Sequence, residues 1–125
     1  MNKAKKEIDV INKKASDDVD LELVKYGKDG RKYEGGWKNN LFSGNGKYTY
    51  ENGDLYDGEW RKGYYSGRGT LLYSNGDKYV GMWVSGKREG KGILDNSNGD
   101  KYVGMWVQNR RSGDGNQVYA NSNIY

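Results

Sequence analysis

The side chains of this chain that could do chemistry are mainly carboxylates, because it contains no histidine and no cysteine. Asp54, Asp77 and Asp100 recur at a constant spacing, each directly after an Asn-Gly pair, and carboxylates aligned in this way could bind a cation. Aspartate is equally an ordinary turn residue at this position. Without imidazole and thiol groups the commonest general base and zinc ligands are missing, so we expect no enzyme, no metal site and no cofactor.

Anion binding is a second chemistry that the sequence offers. Lys87-Arg88 and Arg110-Arg111 are paired cations at equivalent positions, and each cation beside an anionic surface contributes about 1 kcal/mol. They would meet either phosphoinositide headgroups or an acidic protein. Solvated loops also carry lysine and arginine without any partner, and the sequence leaves these interpretations open. The net charge of +4 agrees with an anionic partner but does not require one.

Apolar side chains occupy the same two positions earlier in the chain, as Leu41-Phe42 and Tyr64-Tyr65. Adjacent exposed apolar residues usually mark contacts with partners, so these four are the predicted protein-binding residues. Alternatively, they fold under the sheet and cover its aromatic face, or they pack against an N-terminal helix.

Nucleic acid is a weaker candidate partner. The chain has 12 Tyr and 4 Trp, whose rings could stack on the bases of a single strand. Acidic residues, however, recur at every Asn-Gly position and would repel the phosphates. We therefore expect no nucleic-acid binding.

The elements that position all these residues form a repeat. The segment NGDKYVGMWV occurs twice, at residues 75–84 and 98–107. Tyrosine recurs every 23 residues, with glycine two positions later and tryptophan four positions later. A Gly-x-Gly pair follows in all four copies, and an Asn-Gly pair ends the first three, whereas the fourth has Asn121-Ser122 there. The tyrosines are Tyr33, Tyr56, Tyr79, Tyr102 and Tyr125, and the tryptophans are Trp37, Trp60, Trp83 and Trp106. A period of this length indicates a repeat array.

The spacing inside each copy predicts two strands. Tyr-x-Gly-x-Trp and Gly-x-Gly-x-Tyr-x-Tyr place their defining residues on one face of a strand, so each copy is a β-hairpin. We expect the Asn-Gly pairs to form two-residue type I′ turns between copies, and a longer loop, about residues 38–43, inside each copy. That loop carries Asn40, Gly63, Gly86 or Asn109, which tolerate positive φ. The strand glycines would leave hollows for flat-lying rings.

Tyr-x-Gly-x-Trp followed by Gly-x-Gly at this period resembles the MORN repeat, over about residues 21–125. The chain departs from the family pattern where histidine often precedes the Gly-x-Gly pair, since it has Ser43, Ser66, Glu89 and Ser112 there. The resemblance implies an all-β fold, an elongated, twisted, single-layer antiparallel meander of tandem hairpins. It also implies a role as a scaffold in cilia and parasite cytoskeletons, as a membrane-apposition module, or as an appendage to a catalytic domain.

We divide the chain on this pattern. Residues 1–20 form either a polar arm or a short helix, the latter because Ile8, Ile11 and Ala15 share helical spacing. Residues 21–125 form the array: a partial copy (21–32), copies at 33–55, 56–78, 79–101 and 102–124, and the start of a further copy at Tyr125.

The sequence thus predicts a non-catalytic protein–protein interaction scaffold of a cytoskeletal, ciliary or cortical assembly. The alternative is a peripheral phospholipid-binding module that uses Lys87, Arg88, Arg110 and Arg111. Unpaired edge strands would also permit self-association. Because the chain has no apolar run of ~20 residues and no apolar segment near its first residue, we expect it in the cytoplasm, free or bound to the cytoskeleton or a membrane.

Overall fold

The computed structural model describes residues 9–11, 21–27 and 29–120. In this part of the chain, ten strands form one antiparallel sheet, and each strand pairs with the next in chain order. The strands are β1 (Asp9–Ile11), β2 (Leu21–Tyr26), β3 (Lys32–Lys38), β4 (Leu41–Thr49), β5 (Leu55–Arg61), β6 (Tyr64–Leu72), β7 (Lys78–Val84), β8 (Lys87–Asp95), β9 (Lys101–Val107) and β10 (Arg110–Val118). The predicted all-β hairpin meander is therefore confirmed.

The N-terminal segment gives one difference from the sequence analysis. Among residues 2–16, where a short helix was one alternative, the structure describes only Asp9–Ile11, and these form strand β1. Strand β1 pairs with β2, in register Asp9↔Val24 to Ile11↔Glu22, so the backbone there is extended and not helical. The remainder of the predicted arm or helix lies outside the described residues.

One face of the sheet holds the core, and we call it the aromatic face. It carries the repeated tyrosines, of which Tyr33, Tyr56 and Tyr79 are almost completely buried. Each ring lies flat over strand glycines, so that a Cβ added at Gly92 would overlap the ring of Tyr79. The Tyr79 hydroxyl donates a hydrogen bond to Met82 O at 3.0 Å. The predicted glycine hollows are thus present, because only bare backbone leaves room for a ring in a single-layer sheet.

Tryptophans connect the copies across this face. Trp60 Nε1 donates to Gly46 O at 3.0 Å, and Trp83 Nε1 donates to Gly69 O at 3.2 Å. Trp83 meets the tyrosines of two copies edge-on, with ring centroids 5.8 Å from Tyr56 and 5.0 Å from Tyr79. Such pairs contribute about 0.5–1.5 kcal/mol beyond the area that they bury. Each copy therefore stabilises its neighbour.

The turn types are the reverse of those predicted. Inside each copy only two residues separate the strands, and both have positive φ, as in Asn39 (50°) and Asn40 (66°). These are the type I′ hairpins, since that turn needs positive φ at both central residues. The predicted loop at residues 38–43 was wrong, because strand β4 already begins at Leu41. Positive φ is nevertheless found at all four predicted positions: Asn40, Gly63, Gly86 and Asn109.

The Asn-Gly pairs lie in longer turns between copies. Gly53 N donates to Tyr50 O at 3.0 Å and Tyr50 N donates to Asp54 O at 2.8 Å, so three residues form the loop. Only Gly53 has positive φ there (98°), which excludes type I′. The Asn52 side chain instead accepts a hydrogen bond from Asp54 N at 2.9 Å, a local bond that asparagine often makes in turns.

The repeated aspartates join successive turns. Asp54 Oδ1 accepts from Ser74 N at 2.7 Å, Asp77 Oδ1 from Ser97 N at 2.7 Å, and Asp100 Oδ1 from Ala120 N at 2.8 Å. Asp54 and Asp77 thus each bind a backbone donor of the following Asn-Gly turn, and Asp100 binds the equivalent donor after strand β10. This structural use of the aspartates accounts for their spacing, and the described residues contain no group of three or more acidic side chains placed to hold a metal ion.

Candidate interaction surfaces

Strand alternation separates the predicted partner-binding and anion-binding residues into two groups. Because residues 41–42, and their equivalents, lie in strands and not in a loop, neighbours point to opposite faces. Phe42, Tyr65, Arg88 and Arg111 lie on the aromatic face. Leu41, Tyr64, Lys87 and Arg110 lie on the other face, which we call the back face, next to the type I′ turns.

The two aromatic members of the first group are part of the core. Phe42 stacks on Tyr33 with ring centroids 3.7 Å apart and planes at 8°, and Tyr65 stacks on Tyr56 at 3.7 Å and 5°. The Tyr65 hydroxyl also hydrogen-bonds the Tyr50 hydroxyl. Half of the predicted partner patch therefore covers the aromatic face, which is one of the alternatives that the sequence left open.

Arginine replaces the stacked ring in the later copies. The Arg88 guanidinium lies 4.4 Å from the Trp106 ring centroid and 5.7 Å from that of Tyr79, while Arg111 lies 4.9 Å above Tyr102. Arg88 Nη2 also donates to Asn109 O at 3.1 Å. Both arginines are therefore already engaged by the fold, Arg88 more completely than Arg111, whose side chain remains exposed.

The back-face members remain accessible. Leu41 is 45% exposed and Tyr64 is 60% exposed, and they lie in successive hairpins. Leu41 borders a pocket of about 790 Å³ whose lining includes Trp60, Arg61 and Lys62. Leu41 at this pocket and the exposed Tyr64 in the next hairpin form the part of the predicted patch that a partner could touch. Lys87 and Arg110 are likewise exposed, at the same position of the later hairpins.

An aliphatic groove on the back face was not identified from the sequence. It has a volume of about 680 Å³ and extends from Arg68 in β6 to Asn116 in β10, with its apolar side chains on strands β7 to β9 of copies three and four. Its floor is the backbone of Gly81, Gly92, Gly104 and Gly115, and its apolar side chains are Val80, Met82, Ile93, Val103 and Met105. The signal was present in the duplicated NGDKYVGMWV, where Val and Met stand at positions that carry Asp57 and Glu59 in copy two.

Burial changes the acid–base behaviour of the core tyrosines. Desolvation raises the pKa of Tyr79 to about 12, although the Arg88 cation acts in the opposite direction. Desolvation also raises the pKa of Tyr56 and Tyr65. The nearby Glu59 carboxylate adds to the effect at Tyr56, since two negative charges in proximity are unfavourable. These hydroxyls are therefore protonated hydrogen-bond donors at neutral pH.

The buried rings leave little surface for stacking with nucleic-acid bases. Tyr33, Tyr56, Tyr79 and Tyr102, together with Trp60, Trp83 and Trp106, are all at most 6% exposed. A base could not insert between them without opening the core.

Among the residues that the structure describes, no helix has the length and apolar character of a membrane-spanning segment.

These surfaces define a class of protein: a single-layer β-ribbon in which a constant aromatic core carries side chains that vary from copy to copy. A family model described as MORN repeat matches residues 33–55, 56–78, 79–101 and 102–124. The chain therefore belongs to the MORN-repeat family, as the residue pattern predicted. No curated protein matches it. MORN repeats are generally modules that bind proteins or membranes, and they are not typically catalytic.

Proposed function

We propose that this chain is a non-catalytic protein–protein interaction scaffold of a cytoskeletal, ciliary or cortical assembly in the cytoplasm. The observation that carries the proposal is the exposure of Leu41 and Tyr64 in successive hairpins, where Leu41 also lines the pocket of about 790 Å³. Phe42 and Tyr65 hold these two strand ends in place through the aromatic face. A partner would contact Leu41 and Tyr64, and the stacked Phe42 and Tyr65 would hold those two side chains in position.

The membrane alternative has the weaker support. Of its four predicted residues, Arg88 is held between aromatic rings and Asn109, and Arg111 lies over Tyr102. Lys87 and Arg110 are exposed on the back face and would be the residues that reach a phospholipid headgroup. Two exposed cations give an attraction of about 2 kcal/mol to an anionic surface, which salt weakens.

The chain offers a matched pair of variants, because Leu41, Tyr64, Lys87 and Arg110 occupy one position of the repeat. We would express the full chain in cells, extract them with detergent, and measure retention in the insoluble cytoskeletal fraction. The L41S/Y64S variant should lose retention, whereas K87S/R110S should keep it, also at raised salt, since apolar contacts are little affected by screening.

The complementary measurement is flotation with neutral and phosphoinositide-containing vesicles at near-physiological salt. We expect no flotation of the wild type. If the wild type floated with anionic vesicles only, and K87S/R110S did not float, the membrane function would replace the scaffold function as the proposal. Full detergent solubility of the wild type would also contradict the scaffold proposal.

A further inference from the structure

The back face of copies three and four has a feature that the fold does not require. Along the sheet, the position after the repeated tyrosine reads Glu34, Asp57, Val80, Val103, and the position before the tryptophan reads Gly36, Glu59, Met82, Met105. Copy two forms the same hairpin with Asp57 and Glu59 at these positions, and copy one does so with Glu34 and Gly36. The aliphatic side chains of copies three and four are therefore not needed for folding, and a partner is the remaining use for a grouped apolar surface.

From these positions we propose that the aliphatic groove binds an acidic amphipathic helix of a partner protein. The inference rests on the proposed scaffold function and assigns it a second surface and a partner chemistry. Three properties of the groove carry it: its dimensions, its backbone and its charge.

The dimensions fit the apolar stripe of a helix. The groove runs across the strands, and Arg68 in β6 and Asn116 in β10 mark its ends. Four strand spacings correspond to about 19 Å, the length of about 13 helical residues. Val80 and Met82, on either side of Gly81, are two residues apart on one strand, which separates the walls by about 7 Å. That width admits one row of side chains, as at positions i, i+3 or i+4, and i+7 of a helix.

The backbone of the groove excludes an added strand. Strands β7, β8 and β9 are each hydrogen-bonded on both sides, so the floor offers few free backbone donors or acceptors. An extended peptide lying there would leave its own backbone groups unpaired, at a cost for each buried group. A helix pairs its backbone internally and can present an apolar stripe to such a surface.

The charge around the groove selects an acidic partner. Arg68 and Lys91 line the groove, and Lys78, Lys87 and Arg110 lie on the same strands β7, β8 and β10. Two nearby acids are engaged within the sheet: Asp95 lies 3.6 Å from Lys101, and Glu89 accepts from Gln108 N at 3.0 Å. A second copy docked face to face would bring the same cations together, which is unfavourable. A flat bilayer would have to accommodate Arg68 and Lys91, which line the same groove as the apolar side chains.

The test uses peptides of about 14 residues, designed as amphipathic helices with one leucine stripe and randomised flanking positions, displayed on phage. Selection on the wild-type chain should enrich Asp and Glu in the flanks. The key variant is V80D/M82E/V103D/M105E, which gives copies three and four the residues that copy two already carries. Fluorescence anisotropy should show that an enriched peptide binds this variant at least about tenfold more weakly. Circular dichroism would verify that the variant remains folded.

The control is L41S/Y64S, which alters the other surface and should bind the enriched peptide as the wild type does. No enrichment of acidic flanks, or equal binding to the groove variant, would overturn the inference. It would also be overturned if the groove residues were needed for anionic-vesicle flotation or for dimerisation. The scaffold proposal fails separately, through detergent extraction and the L41S/Y64S variant, so the two failures are distinguishable.

Discussion

Copies one and two differ from copies three and four on both faces, while the strands of all four hairpins pair in the same register. On the aromatic face a ring, Phe42 or Tyr65, gives way to a guanidinium, Arg88 or Arg111. On the back face, Glu34, Asp57 and Glu59 give way to the valines and methionines of the aliphatic groove. The comparison shows which positions the scaffold fixes and which are free to acquire a binding role: the Tyr, Gly and Trp positions are constant, and their neighbours are not.

The largest expected effect on the free energy of unfolding concerns the packing of tyrosine rings on glycines, which is the same in all copies. A methyl group at Gly69 or Gly92 would overlap the ring of Tyr56 or Tyr79, which has no room to move. We expect G69A and G92A each to lower the free energy of unfolding by about 3 kcal/mol, equally in the two halves. Urea denaturation measures it. G113A is the control, because a Cβ there meets no atom within 4 Å. A loss below about 1 kcal/mol in either half would contradict a common scaffold.

The next effect distinguishes a stacked ring from a stacked cation. Y65A removes a ring that stacks on Tyr56 and meets Trp60 and Trp83 edge-on, so it should cost about 3 kcal/mol. R88A removes the contact with Trp106 and the bonds to Asn109, and should cost about 1–2 kcal/mol. R88Y, which copies the residue of copy two, should regain most of the loss. Equal costs for Y65A and R88A would show that the guanidinium packs as strongly as the ring.

Alkaline pH should distinguish copies two and three through the ionisation of Tyr56 and Tyr79. The folded-state pKa of Tyr79, about 12, lies above the ordinary value of 10.0. The contribution of Tyr79 to the free energy of unfolding is therefore complete below pH 10 and is lost as the pH rises from 10 through about 12. At pH 11 the loss is about 1 kcal/mol. Because Arg88 favours the Tyr79 phenolate whereas Glu59 opposes that of Tyr56, carbon-13 NMR titration should show Tyr79 ionising first. The reverse order would contradict this assignment.

The smallest expected effect concerns the variable part. V80D/M82E gives copy three the residues Asp57 and Glu59 of copy two, where the fold accommodates them. We expect the free energy of unfolding to change by no more than about 0.5 kcal/mol, as for other surface substitutions. Thermal and urea denaturation would measure it. A loss of about 2 kcal/mol or more would mean that the aliphatic groove serves stability, and the two back faces would then differ for structural reasons.

The period and the hairpin meander were predictable, because one row of tyrosine, glycine and tryptophan positions fixes which side of each strand is buried. The turn types were not, although the same pattern contained them. A two-residue turn at Asn52-Gly53 would pair Thr49 with Tyr56, whereas the structure pairs Tyr48 with Tyr56. A slip of one residue sends every side chain to the other face. The need to keep both tyrosines in the core therefore overrides the local Asn-Gly preference.

The sequence analysis grouped the candidate site residues differently from the structure, for a related reason. Treating residues 41–42 as loop made Leu41 and Phe42 one patch, and treating Lys87 and Arg88 as loop made them one cluster. In strands, adjacent residues cannot share a face. The aliphatic groove was missed because its side chains are scattered in the sequence and meet only when four strands are aligned.

The carboxylates that join one Asn-Gly turn to the next have a mechanical consequence. In the described part of the chain, each strand pairs with its neighbours in chain order, and Asp54 and Asp77 each bind one Asn-Gly turn to the next. Tension applied to the two ends of the ribbon would act on these hydrogen bonds in series, so the hairpins would detach one after another. Each released copy would lengthen the tether by up to about 80 Å. The ribbon would thus behave as an extensible spacer that absorbs strain in steps while its remaining copies stay folded.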